Sequence, residues 1–151
     1  MEHNGGVDEA NIDIDAPPER VYDLVSDITR MGEWSPETQR AEWRDDADGP
    51  AVGARFRGWN KRGPMRWHTD CEVEEADAGR AFAFRVKGTN ARWGYRLERR
   101  DEGTRLTETR DLGGAPAFGR MFDRLIRQDK TMHRGMEQTL KRIKAAAEET
   151  A

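Results

Sequence analysis

From Gln39 to Arg110 the chain repeats one pattern six times: a run of alternating apolar and polar residues, then a turn. From about Pro116 to Ala147 it changes to apolar residues every three or four positions. Alternation gives each strand one apolar face, and the later spacing gives a helix one apolar stripe. A single helix cannot cover that many strands laid flat, so the sheet must curl around it. The expected fold class is α+β: a seven-stranded curved antiparallel sheet around a long C-terminal helix, with two short helices after strand 1.

The first strand is expected at Ala10 to Asp15, with Ile12 and Ile14 on one face. Asp15 or Ala16 is expected to cap a helix that starts near Pro17 and Pro18 and ends by about Thr29, and a short turn over Arg30 to Glu33 leads to Trp34-Ser35-Pro36. The six later strands are read at Gln39–Arg44, Val52–Trp59, Arg66–Glu75, Ala81–Val86, Ala91–Arg99 and Thr104–Arg110. Asp-Gly, Gly-Pro and Glu-Gly turns separate most of them. The domain plan is a loose arm over residues 1–8, one domain over 9–147 and a tail over 148–151.

The chain has 151 residues, enough for one domain that buries roughly two-thirds of its unfolded surface without staples. Its 26 Lys+Arg and 29 Asp+Glu are dispersed, for a net charge of −3, which argues against a nucleic-acid partner. No apolar run reaches the ~20 residues of a membrane span, and the first residues do not read as a signal peptide. The single cysteine, Cys71, fits a reducing cytoplasm, the expected location. Three histidines without ligand spacing give no metal site. No glycine-rich nucleotide fingerprint is present, and no cofactor is expected.

Ile12-Asp13-Ile14-Asp15-Ala16-Pro17-Pro18-Glu19-Arg20-Val21-Tyr22, the stretch from Asp27 through Trp34-Ser35-Pro36, and Trp93-Gly94-Tyr95-Arg96-Leu97 followed by Gly103 to Glu108 resemble the START-like, or SRPBCC, superfamily. Within it the chain is similar to bacterial polyketide cyclase/dehydrase-like proteins, which include Bet v 1-like ligand binders. The resemblance covers about residues 8 to 147. It implies the helix-grip fold and a deep cavity between the long helix and the concave face of the sheet. It also implies an apolar ligand such as a lipid, sterol or polyketide. Fold analogy alone does not choose between carrying a ligand and reacting with it.

Strand parity puts Trp43, Phe56, Trp67, Phe82, Phe84, Trp93 and Tyr95 on the concave face, and the helix stripe adds Phe122, Leu125, Met132 and Met136. Each of these alone is an ordinary core residue; together they are the candidate cavity lining. Trp34 either caps the mouth or pins its loop to the core. Glu108 shares parity with Leu106, and Arg110 is its candidate partner. A bulge or edge position would turn both to solvent, and that is the default expectation. If it faces inward, Glu108 is a desolvated carboxylate suited to acid–base work. Asp129 and His133, one turn apart, are a candidate base pair for enolisation, though an ordinary half-buried or solvent-facing pair is the default. The basic residues Arg55, Arg57, Lys61, Arg62 and Arg66 are expected to form a solvated hairpin.

The leading expectation is binding of an apolar, lipid- or polyketide-like small molecule in an internal cavity. The second is a polyketide cyclase or dehydratase with Glu108, Tyr95 or the Asp129/His133 pair at its centre. The third is a protein-interaction or stress-response module, for which an exposed Trp59 is the only hint. The sequence does not set the oligomeric state.

Overall fold

A computed structural model describes residues 7–112 and 129–149. The order is β1 (Val7–Ile14), α1 (Pro18–Val25), a 3-10 turn (Ile28–Arg30), α2 (Met31–Trp34), then β2 (Thr38–Trp43), β3 (Arg55–Arg62), β4 (Met65–Asp77), β5 (Ala81–Val86), β6 (Arg92–Arg100) and β7 (Gly103–Asp111). The C-terminal helix, α3, is described over Asp129–Glu148. All seven strands pair antiparallel in one sheet of order β1-β7-β6-β5-β4-β3-β2. This is the helix-grip arrangement.

Several boundaries differ from the sequence reading. β1 begins at Val7, not Ala10, because Val7 and Asp8 pair with Asp111 and Arg110. Val7 and Asp8, read as part of the arm from the sequence, belong to this strand. α1 is capped by Pro17 rather than Asp15 or Ala16, and it ends at Val25. Pro17 is held extended (ψ 154°), Pro18 opens the helix with no N–H to satisfy, and the Pro17 carbonyl accepts from Arg20 and Val21. The turn that follows is capped by Asp27, whose carboxylate accepts from the Thr29 N–H.

The sheet changes parity where it must bend. A bulge between Val73 and Glu75 lets β4 keep Val73 inward and then bring Ala76 opposite Phe82. Glu74 is left on the outside, where it accepts from Arg85 and Arg92. A second irregularity, between Thr38 and Arg40, bends β2 at the edge. The β3–β4 hairpin closes in two residues, Gly63 and Pro64, and Gly63 has a φ of 59° that suits glycine at the first turn position.

The core lies between α3 and the concave face. Met136, Leu140, Ile143 and Ala147 of α3 are buried against Ile14, Phe56, Val73, Phe82 and Leu106 of the sheet. Full burial of side chains this size stabilises by about 1.5–3 kcal/mol each. α1 closes one end, with Val21, Tyr22, Leu24 and Val25 buried. Arg20 ties it to the end of α3 by donating to the carbonyls of Ala146, Ala147 and Glu149, groups that a helix end leaves without partners. Glu148, placed in the tail by the sequence reading, is the last residue of α3; its carboxylate accepts from the Asp15 N–H and from Lys144.

The convex face carries dispersed ion pairs, such as Arg57–Asp70 and Arg105–Asp13. Exposed pairs of this kind contribute about 0–1 kcal/mol each.

Candidate functional site

Part of the space between α3 and the sheet is not filled. A cavity of about 530 Å³ remains, bounded by α2 and the Ser35–Glu37 segment, by β3 to β7 and by α3. Two glycines help to keep it open. Gly58 on the concave face and Gly135 on α3 both line the space, and neither contributes a side chain to fill it. Gly58 also lets Thr69 come close: a Cβ there would sit 3.2 Å from the Thr69 hydroxyl oxygen.

The structure divides the aromatic residues named from the sequence. Trp34, Phe56, Trp67, Phe84, Trp93 and Tyr95 line the cavity, as do Met132 and Met136 from the helix. Trp43 and Phe82 do not. Phe82 is fully buried near the end of the sheet that α1 covers, and its ring leans on Phe84 at 6.1 Å. Trp43, on the edge strand β2, packs edge-to-face on Phe56 at 5.8 Å and does not line the space. Trp34 is a wall rather than a flap: it is buried, and its carbonyl accepts from Arg142 of α3. Phe122 and Leu125 lie outside the described residues.

Glu108 overturns the default expectation that it faces solvent. No bulge interrupts the β6–β7 ladder, so its inward parity holds; it is 4% exposed and lines the cavity. The Tyr95 hydroxyl, opposite it on β6, donates to Oε2 at 3.1 Å. Oε1 is buried with no hydrogen-bond partner among the described residues. Burial pushes the Glu108 carboxyl up to about 8, against the lowering effect of the Tyr95 bond. Burial, and then the carboxyl beside it, hold the Tyr95 phenol well above its ordinary value.

Arg110 is also buried, but it does not pair with Glu108. It donates to Asp8 at 3.2 Å, with both side chains nearly inaccessible, and its guanidinium lies 5.7 Å from the centre of the Trp93 ring. The longer β1 makes this possible by placing Asp8 opposite Arg110.

His133 does not line the cavity. It is half-buried, with Nε2 4.0 Å from Glu137 one turn on and Nδ1 lacking a partner among the described residues. The side chain of Asp129 lies outside the described residues, so the Asp129/His133 pair has no geometry to report.

The sequence reading did not single out a polar strip on β2 to β4. The Asn60 carboxamide accepts from Thr38 at 2.9 Å and approaches Thr69 at 3.5 Å, and all three residues line the cavity. Cys71 follows on the same face, its thiol pushed up to about 12 by burial, which makes it a poor nucleophile. Parity with Phe56 and Trp67 was the signal that placed them there. Among the described residues, no group of three His, Cys, Asp or Glu side chains could hold a metal ion. No described helix is long and apolar enough to cross a membrane.

The family model described as polyketide cyclase / dehydrase and lipid transport matches residues 9–148. The chain belongs to this family. A Polyketide_cyc-like protein of Corynebacterium glutamicum is 37% identical over 98% of this chain and 88% of its own, with a TM-score of 0.55. The major latex-like protein 151 of ginseng, Panax ginseng, shares the fold at 10% identity, with a TM-score of 0.74 over 95% of this chain and 98% of its own. DynU16, a protein of the dynemicin biosynthetic locus, is 19% identical, with a TM-score of 0.65 over 93% of this chain and 46% of its own. No curated protein matches the chain.

Within this family frame, the hairpin arginines are not a free basic patch. Arg55 and Arg57 pair with Glu72 and Asp70, and Arg62 stands 4.0 Å from Glu37. Trp59 is half-buried beneath the Arg40 guanidinium, 3.7 Å from its ring centre. Among the described residues, the exposed large hydrophobics are Val52 and Met65.

Proposed function

We propose that the protein binds an apolar, lipid- or polyketide-like small molecule in the cavity between α3 and the sheet. The observation that carries this reading is the space itself: about 530 Å³, walled by Trp34, Phe56, Trp67, Phe84, Trp93 and Met136. A cavity of that size suits a drug-sized apolar molecule. Membership in a family whose description includes lipid transport supports it. Native mass spectrometry of freshly purified protein tests it by showing a co-purified ligand. A thermal-shift screen with fatty acids, flavonoids and aromatic polyketides is the second test, since any ligand bound only by the native state raises the midpoint. A screen in which none of them raises it would remove the reading.

One observation favours a second reading, a cyclase or dehydratase. Glu108 and Tyr95 place an uncharged carboxyl and a phenol side by side in the cavity wall. A general acid near neutral pH needs a carboxyl raised in this way. Turnover of a polyketide substrate that survives Glu108→Gln would take Glu108 out of that role. His133 contributes to this reading only if it reaches the ligand, and turnover unchanged in His133→Ala would remove it.

A further inference from the structure

The polar chemistry around Glu108 says what kind of ligand the cavity suits; this inference rests on the binding reading above. The described elements near the Glu108 carboxyl bear on its charge. β6 supplies Tyr95, whose hydroxyl occupies Oε2. β1 places Ala10 opposite it, with Asp8 two residues before. Arg110, two residues along β7, is directed to Asp8 and the face of Trp93. α3 brings Met132 and Met136 to the cavity wall, while His133 lies off it beside Glu137. Lys61 and Arg62 of β3 and Arg134 of α3 also line the cavity, but none is paired with Glu108 and none acts on its proton affinity, so the group is stable as the uncharged acid. Its raised pKa agrees.

An uncharged carboxyl has one O–H to donate. The Tyr95 bond uses one oxygen as acceptor, and the other oxygen has no partner among the described residues. The terminal torsion of a glutamate is soft, so the carboxyl can turn its O–H to a neighbour. The side chain lines the cavity, so the neighbour that fits is an acceptor oxygen on the ligand.

We infer that the Glu108 carboxyl donates a hydrogen bond to a neutral carbonyl oxygen of the ligand, so that the cavity prefers apolar ketones to hydrocarbons of the same shape.

Three matched tricyclic probes test this: fluorenone, fluorene and fluorene-carboxylate, titrated into the full chain and followed by tryptophan quenching. The expected result at pH 6 is fluorenone binding roughly tenfold tighter than fluorene, the worth of one hydrogen bond from a buried acid. The carboxylate is the control for charge: any affinity it gains from Lys61, Arg62 or Arg134 survives Glu108→Leu. At pH 9.5 the wild-type preference disappears as the acid ionises. Glu108→Gln, whose amide N–H donates in place of the acid, keeps the ketone preference at both pH values. Glu108→Leu loses it at both while still binding fluorene. Equal binding of fluorenone and fluorene by the wild type, or a preference that survives Glu108→Leu, overturns the inference and leaves the binding reading standing. Failure of all three probes to bind overturns the inference, and the thermal-shift screen then decides the binding reading separately.

Discussion

Tyr95 and Glu108 face each other as a register pair across β6 and β7, and the Tyr95 hydroxyl donates to Glu108 Oε2 at 3.1 Å. Among the described residues, this buried acid is held by one donor. Its consequences for stability can be measured without knowing the ligand.

Stability should fall as pH rises through the range set by Glu108. Below its ordinary value of 4.5 the group is protonated in both states. Between there and about 8 the unfolded chain releases the proton while the folded chain retains it. The unfolded state is favoured increasingly over that window, and the effect levels off above it. The destabilisation is on the order of a few kcal/mol. Glu108→Gln should flatten this dependence and raise the urea midpoint at pH 8.5 relative to wild type, with little change at pH 4.5.

Phe82 and Trp67 should separate packing from binding. Phe82→Ala empties a fully buried site off the cavity wall and should cost about 3–5 kcal/mol in urea unfolding. Trp67→Ala removes a half-buried wall of an existing space. It should cost less stability than Phe82→Ala but weaken any cavity ligand more, as read by titration of both variants.

The buried Asp8–Arg110 pair should be expensive to halve. Asp8→Ala leaves the guanidinium without the Asp8 carboxylate in a site closed to water. A loss of about 3–5 kcal/mol is expected by denaturant unfolding. Replacing both by apolar residues should cost less than Asp8→Ala alone.

Two glycine substitutions should move stability in opposite directions. A Cβ on Gly103 would lie 2.5 Å from the Ile14 carbonyl oxygen, so Gly103→Ala should destabilise by about 1–3 kcal/mol through the β1–β7 ladder. A Cβ on Gly135 would meet Pro36 at an ordinary 3.5 Å. Gly135→Ala should therefore stabilise α3 by about 0.5–1 kcal/mol, because glycine in a helix loses more backbone freedom. Thermal midpoints of both variants check the signs.

Much of the sheet was legible because its strands alternate cleanly, and β5 lies where the pattern put it, at Ala81–Val86. β1 was read three residues short because Asp8 looks like a residue for water; its burial depends on an arginine 102 residues away. The β4 bulge was illegible for a similar reason: strict alternation through Glu74 gives no hint that Val73 and Ala76 both turn inward. Strand parity named five aromatic lining residues, Phe56, Trp67, Phe84, Trp93 and Tyr95, but also Trp43 and Phe82, since it assigns a face and not a depth along that face.

The sequence by itself determined the strand order along the chain, the inward face of most strands and the family, because periodicity and the opening strand-to-proline element are local. Tertiary structure decided that the interior is partly hollow. Gly58 and Gly135 line one space only once α3 lies over the sheet. It also decided the fate of Glu108. A regular β7 turned it inward, and the longer β1 drew Arg110 away to Asp8. Among the described residues that left Tyr95 as the hydrogen-bond partner of the carboxyl, in surroundings too dry for its charge. Burial and charge pairing depend on what the rest of the chain brings alongside, and no local pattern encodes that.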